Sequence, residues 1–300
     1  MRTYVQSTRI DVVFLLHNDK TTGGPVVLIY EKRITTRRYL MENIRVGVVG
    51  ANGKMGREIL KAVLGDKDTV LTFAVAATTN AVHIGNQKID ITDNLEEALE
   101  KNDVDVVIDF TNATAFRENA PVILQKGVHL VSGTTGLTRE ELISYGKIAE
   151  EKRKCFFYAA NFAIGAVLMM RFAEEAARFM PEVEIIEFHH DQKKDAPSGT
   201  AIATLERIAK VREAHIQGFP GEVETIAGSR GGEKEGMRVH SVRMPGYNAH
   251  QEVLFGGLGQ TLTIRHDSIN RESFMPGILF ACKNIQDKVG FVENLDTIMF

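Results

Sequence analysis

From residue 44 onward the chain alternates short apolar runs with stretches whose apolar residues recur every three or four positions. The first kind of run predicts a buried strand and the second an amphipathic helix. "IRVGVVG" (44–50) predicts a strand, and "GKMGREILKAVLG" (53–65) a helix closed by Gly65, with Ile59 and Val63 on one face. "TVLTFAVAA" (69–77) predicts a second strand, "NLEEALEKN" (94–102) a short helix and "VDVVIDFT" (104–111) a third strand. A helix over 115–127, a strand over 128–133 and a helix over 138–153 continue the rhythm. Alternation of this kind implies a Rossmann-like α/β domain, a mostly parallel sheet with helices on both faces.

The rhythm changes near residue 160. A long helix (about 164–179) leads into the strand "EVEIIEFHH" (182–190), then a helix from about 199 and a glycine-rich stretch (227–236). Segments 237–245, 249–257 and 260–268 predict consecutive antiparallel strands, and 271–285 a final helix. The second part is therefore expected to be an α+β domain with an open mixed sheet. The expected division is 41–162 with 272–300 for the first domain and 163–271 for the second.

Residues 1–40 differ in kind. "IDVVFLL" is too short for a signal segment and no small-residue cleavage site follows it. A methionine, Met41, stands just ahead of the first strong strand, so 1–40 is expected to be an N-terminal extension outside the core fold. The competing reading is a hairpin of "VVFLL" and "VVLIY".

Composition narrows the function. Hydrophobic residues are 44% and charged residues 25%, the balance of an ordinary soluble globular protein. A formal net charge of −3 gives no electrostatic case for nucleic acid. No apolar run reaches the roughly 20 residues that span a bilayer. Cys155 and Cys282 stand apart and are expected to be reduced thiols of a cytoplasmic protein.

Chemistry enters at the first turn. Gly50-x-x-Gly53-x-x-Gly56 sits where a strand meets a helix, the setting in which glycines let a pyrophosphate approach the helix N-terminus. A tight turn without ligand is the alternative. The second strand ends in Thr78 and Thr79, where a carboxylate would hold the ribose hydroxyls of NAD; its absence, with Lys54 or Arg57 nearby, predicts that NADPH is tolerated.

A second cluster lies in "HHDQKKDAPSGTA" (189–201). Side chains alternate along a strand, so His189 and His190 face opposite ways and are not expected to share a metal. Ser198-Gly199-Thr200 opens a helix behind Pro197 and offers N–H groups and hydroxyls to a carboxylate. Asp195 reads as a cap or as a partner for a lysine. One of Lys193 and Lys194 reads as part of a solvated loop. Arg243, in "VHSVRMPG", reads equally as a carboxylate or subunit contact and as a solvent-facing arginine.

These motifs, with "VVIDFTNA" (106–113), "VSGTTGL" (131–137) and "FYAANFAIGA" (157–166), resemble the 4-hydroxy-tetrahydrodipicolinate reductase family from Met41 to the C-terminus. The resemblance implies NAD(P)H-dependent reduction of a cyclic dicarboxylate in the diaminopimelate route to lysine. It implies a pyrophosphate loop of Gly50, Ala51, Asn52, Gly53, Lys54 and Met55. Thr78, Gly133, Thr134, Thr135, Ala159, Ala160, Asn161 and Phe162 would then contact NADH or NADPH. His189 and Lys193 would be catalytic, and His190, Gly199 and Thr200 would hold substrate carboxylates. Lys194 stands where many members carry an apolar residue, and spacing favours Lys193. A homotetramer through the second sheet is implied as well. The competing readings are an aspartate- or homoserine-type dehydrogenase and a nucleotide-sensing protein without turnover.

Overall fold

The computed structural model describes residues 43–300; the extension expected over 1–40 lies outside the described residues. The first run of elements is β1 (Ile44–Val49), α1 (Lys54–Gly65), β2 (Thr69–Val75), β3 (Asn80–Ile84), β4 (Gln87–Thr92), α2 (Leu95–Lys101), β5 (Val106–Asp109), α3 (Ala113–Gln125), β6 (His129–Ser132), α4 (Arg139–Glu151) and β7 (Cys155–Tyr158). The second is α5 (Ile164–Ala177), β8 (Glu182–His189), α6 (Gly199–Ala209), β9 (Gly232–Lys234), β10 (Met237–Arg243), β11 (Ala249–Gly257) and β12 (Gln260–Ser268). A 3₁₀ turn (Arg271–Phe274) then runs into α7 (Met275–Asn284), β13 (Gly290–Glu293) and α8 (Asp296–Met299).

Eight strands form the first sheet in the order β13-β7-β6-β5-β1-β2-β4-β3. Every neighbouring pair is parallel except the β3–β4 hairpin. Strands β5 and β6 are buried at each position, as strands covered on both faces must be. Val106 and Ile108 enter one apolar cluster and Val107 the other, so alternate residues serve opposite faces. The first cluster continues into Val183, Ile185, Leu205 and Val253 around the second sheet. On β6 the buried His129 accepts the Cys155 N–H on Nδ1 at 3.0 Å, and burial pulls its pKa down to about 4.

Three features depart from the sequence expectation. Residues 80–92 form an edge hairpin turning at Gly85, and β7 and β13 are additional parallel strands. Segments 237–245 and 249–257 are not a hairpin: the second sheet runs β12-β11-β8-β10-β9, with β10 parallel to β8. Helix α6 carries the chain across between β8 and β10, so β10 arrives in the same direction as β8. β11 then pairs antiparallel with the opposite edge of β8. The glycine-rich stretch supplies the short strand β9. No helix among the described residues is long and apolar enough to cross a membrane.

Candidate active site

Strand β1 lies between β2 and β5, so the chain runs outward from it in both directions and leaves a crevice at the carboxyl ends. The glycine turn fills the β1 side. Gly50 has φ 84°, and the N–H groups of Gly50 and Ala51 both donate to the Val75 carbonyl at 2.9 and 3.0 Å. The Gly53 N–H closes the turn onto the Gly50 carbonyl at 2.9 Å. Gly53 is also the N-cap of α1 and has no side chain with which to cap it. The first-turn N–H groups are thus left for an external anion. A Cβ on Gly56 would lie 2.1 Å from the Gly50 carbonyl oxygen, so the helix can approach the turn only with glycine there. These features fit a dinucleotide pyrophosphate. Lys54 is exposed at the helix start, while Met55 is half-buried against the core. The Asn52 amide donates to the Thr78 carbonyl at 3.4 Å and its oxygen accepts from Asn80 at 3.0 Å, which brings exposed Thr78 to the turn. Asp66 and Asp68, at the far end of β2, instead hold Lys283 at 2.8 and 2.9 Å.

The turns after β5, β6 and β7 form the other half of the crevice. Thr134 is buried; its N–H donates to the Ser132 hydroxyl at 3.0 Å and its own hydroxyl to Asp109 at 3.3 Å. Asp109 is fully buried, which pushes its pKa up against the hydrogen bonds it accepts from Thr111, Asn119 and Thr134. It ties the β5 and β6 turns together. Gly133 lies against the Phe110 ring, which packs on Phe162 with 5.4 Å between centroids. Thr135 and Ala160 are exposed, and Ala159 is buried with its N–H on the Ser132 carbonyl at 3.1 Å. The Asn161 oxygen accepts the Ala163 N–H at 2.8 Å, and its amide donates to the Thr200 hydroxyl at 3.3 Å. One residue of the β7 turn is thereby joined to the start of α6.

His189 is the last residue of β8 and half-buried, and His190 is exposed just beyond. His189 Nδ1 lies 2.5 Å from the buried carboxylate of Glu187. Glu187 also accepts both Nη atoms of Arg243, at 2.7 and 2.8 Å, and the Ser198 N–H at 3.2 Å. Burial alone would raise its pKa; the bonds from His189, Arg243 and Ser241 outweigh that and hold it down to about 2. Arg243 donates further to the Asp195 carbonyl at 2.8 Å, so it is not a solvent-facing arginine but is spent on the protein's own Glu187 and loop backbone. Asp195 pairs with Lys193 Nζ at 2.7 Å, and Ser198 is the cap, accepting the Ala201 N–H at 3.2 Å. Lys194 is exposed, as is Gly199 at the first position of α6. Sequence reasoning missed Glu187 and Asp109. Asp109 is the one carboxylate in the apolar strand β5, and Glu187 is the third glutamate of β8, two residues before His189 and on the same face.

The model described as "Dihydrodipicolinate reductase, N-terminus" matches residues 44–162, and its C-terminal counterpart matches 165–299. The 4-hydroxy-tetrahydrodipicolinate reductase of Desulfitobacterium hafniense (strain DSM 10664 / DCB-2) is 48% identical over 266 residues, covering 86% of this chain and all of that one. That of Halalkalibacterium halodurans is 46% identical over 263 residues, 85% of this chain and 99% of its own. A solved structure, dipicolinate-bound dihydrodipicolinate reductase from Paenisporosarcina sp. TG-14, superposes with TM-score 0.76 at 42% identity, covering 85% of this chain and 99% of that one. With both halves matched and identity this high across nearly whole relatives, the chain belongs to the dihydrodipicolinate reductase family.

Proposed function

We propose that the chain reduces 4-hydroxy-tetrahydrodipicolinate to tetrahydrodipicolinate with NADH or NADPH, in the diaminopimelate branch of lysine biosynthesis. The observation that carries this is the convergence of the β7 turn with the start of α6 through Asn161 and Thr200, beside the His189–Glu187–Arg243 cluster. It is supported by the names of the relatives and by the dipicolinate bound to the Paenisporosarcina reductase.

The reduced nicotinamide, when bound, supplies a hydride. Gly50, Ala51, Asn52, Gly53, Lys54 and Met55 bind the pyrophosphate end at the α1 N-terminus. Thr78, Gly133, Thr134, Thr135, Ala159, Ala160, Asn161 and Phe162 contact the remainder. His190, Gly199 and Thr200 hold the substrate carboxylates, whose burial is costly without cations and N–H donors around them. The overall change takes up one hydride and one proton and releases the 4-hydroxyl as water. His189 and Lys193 serve the proton, delivered to the carbon beside the imine carbon.

The same reading makes 41–162 with 272–300 the dinucleotide domain, supported by the pairing of β13 with β7, and 163–271 the substrate and tetramerisation domain. Exposed Leu258 and Leu262 on the β11–β12 hairpin support a homotetramer built there. A cytoplasmic setting follows from the biosynthetic role.

The test is a steady-state assay with substrate generated in place by the preceding synthase from pyruvate and aspartate semialdehyde. NADH and NADPH are followed in parallel. Synthase-dependent oxidation is expected; binding of both cofactors without oxidation refutes the reading in favour of a nucleotide sensor.

A further inference from the structure

The cluster under His189 is more than a salt bridge. Glu187 is about 1% exposed, and each carboxylate oxygen has two donors. Oε1 takes Arg243 Nη2 and the Ser198 N–H; Oε2 takes Arg243 Nη1 and His189 Nδ1. Against a carboxylate held ionised, the imidazole contact requires a proton on Nδ1. Among the described residues no protein group binds His189 Nε2, which is left as the working nitrogen.

The surrounding groups sharpen the point. On β10, Ser241 pairs in register with Glu187 and Arg243 with His189. On β11 the register partners are Gln251 and Ala249, both uncharged. From the loop come Lys193 and Asp195, already paired to each other, and from the start of α6 only the Ser198 N–H. Glu187 is therefore the anion in contact with the ring. Through Arg243, which also grips the Asp195 carbonyl, and through Ser198 it holds the C-terminal half of the loop that carries Lys193.

We infer that Glu187 is a positioning residue of the reduction: it fixes His189 as an Nδ1–H donor with Nε2 free, and sets the Lys193 loop and the start of α6 against it. The inference rests on the reductase reading, but part of its test does not.

That part is nitrogen-15 NMR of the histidine rings, with His189 assigned by its loss in His189→Asn. At pH 8 the wild-type His189 ring is expected protonated at Nδ1, and in Glu187→Gln that fixed tautomer is lost. A wild-type ring protonated at Nε2 overturns the inference whether or not the chain is a reductase. The kinetic part uses Glu187→Gln and Glu187→Asp. For Glu187→Gln, kcat is expected to fall about a hundredfold, within the range of general acid catalysis. The KM for NADH should stay within about twofold, since the cofactor turn is untouched. Glu187→Asp restores part of kcat. In a His189→Asn background, Glu187→Gln is expected to add little further loss, whereas a purely structural role would add in full. A wild-type kcat in a folded Glu187→Gln enzyme, or full additivity in the double variant, overturns the inference.

Discussion

Gly56→Ala tests how the cofactor turn is built. In most helix interiors this change stabilises by about 1 kcal/mol. Here the new Cβ would sit 2.1 Å from the Gly50 carbonyl oxygen and 2.8 Å from Ala51 Cα, where real Cβ atoms keep at least 3.0 Å. The obstacle is backbone, so no side chain can swing aside; α1 must retreat by about an ångström or the Gly50 turn must open. Overpacking of this kind costs about 1–3 kcal/mol, which leaves a net loss of up to about 2 kcal/mol after the helical gain. For a chain of this size that lowers Tm by about 4–8 °C. The larger effect falls on cofactor binding, because the displaced turn is the one that presents the first-turn N–H groups. The expected result is a rise of about tenfold or more in Kd for NADH, read by fluorescence titration. Gly65→Ala, at the other end of the same helix, meets nothing within 4 Å and is expected to match wild type. A Gly56→Ala protein with unchanged Tm and unchanged Kd would refute the close-approach argument.

Lys193→Ala is expected to cut kcat heavily while leaving NADH affinity unchanged; unchanged turnover removes that lysine from the reaction. Thr78→Asp places a carboxylate beside the glycine turn, and the KM for NADPH is expected to rise about tenfold or more while that for NADH changes little, measured with both cofactors on one preparation. His129 has its pKa lowered by burial from 6.5 to about 4, so the unfolded chain takes the proton first. Stability is whole above pH 6.5 and is lost as pH falls toward 4, at about 1.4 kcal/mol per unit and about 3 kcal/mol in all. Urea midpoints at pH 7.5 and 5.5 should show this fall in wild type and a flatter one in His129→Asn; equal slopes would assign the loss elsewhere.

The parallel core of the first sheet was legible because its strands are buried on both faces and read as unbroken apolar runs. The β3–β4 hairpin was not: in "NAVHIGNQKIDIT" only Val82 and Ile91 are buried, so an edge ribbon looks like a polar linker. β13, Gly-Phe-Val-Glu, carries only two apolar residues, and β7 is a four-residue run close behind α4. The place of β10 beside β8 depends on the α6 crossover, a long-range choice that adjacent segments do not encode. At the site, glycines, histidines and lysines announce themselves by type and spacing. Glu187 and Asp109 do not, because a buried carboxylate is defined by what surrounds it, and those partners come from β10, α3 and three separate turns.

The pairing of β13 with β7 has a consequence for synthesis. Glu293 meets Arg139 across 154 positions of sequence, and Phe291 stacks on Phe156 with 5.4 Å between centroids. While the nascent chain emerges from the ribosome, β7 therefore waits with an open row of backbone groups for the whole time the second sheet is being made. An apolar strand in that state invites pairing with a neighbouring polypeptide. Translation of β13 thus closes a seam left open since mid-chain, and a chain that stalls or is trimmed just before β13 is released with that seam unsealed.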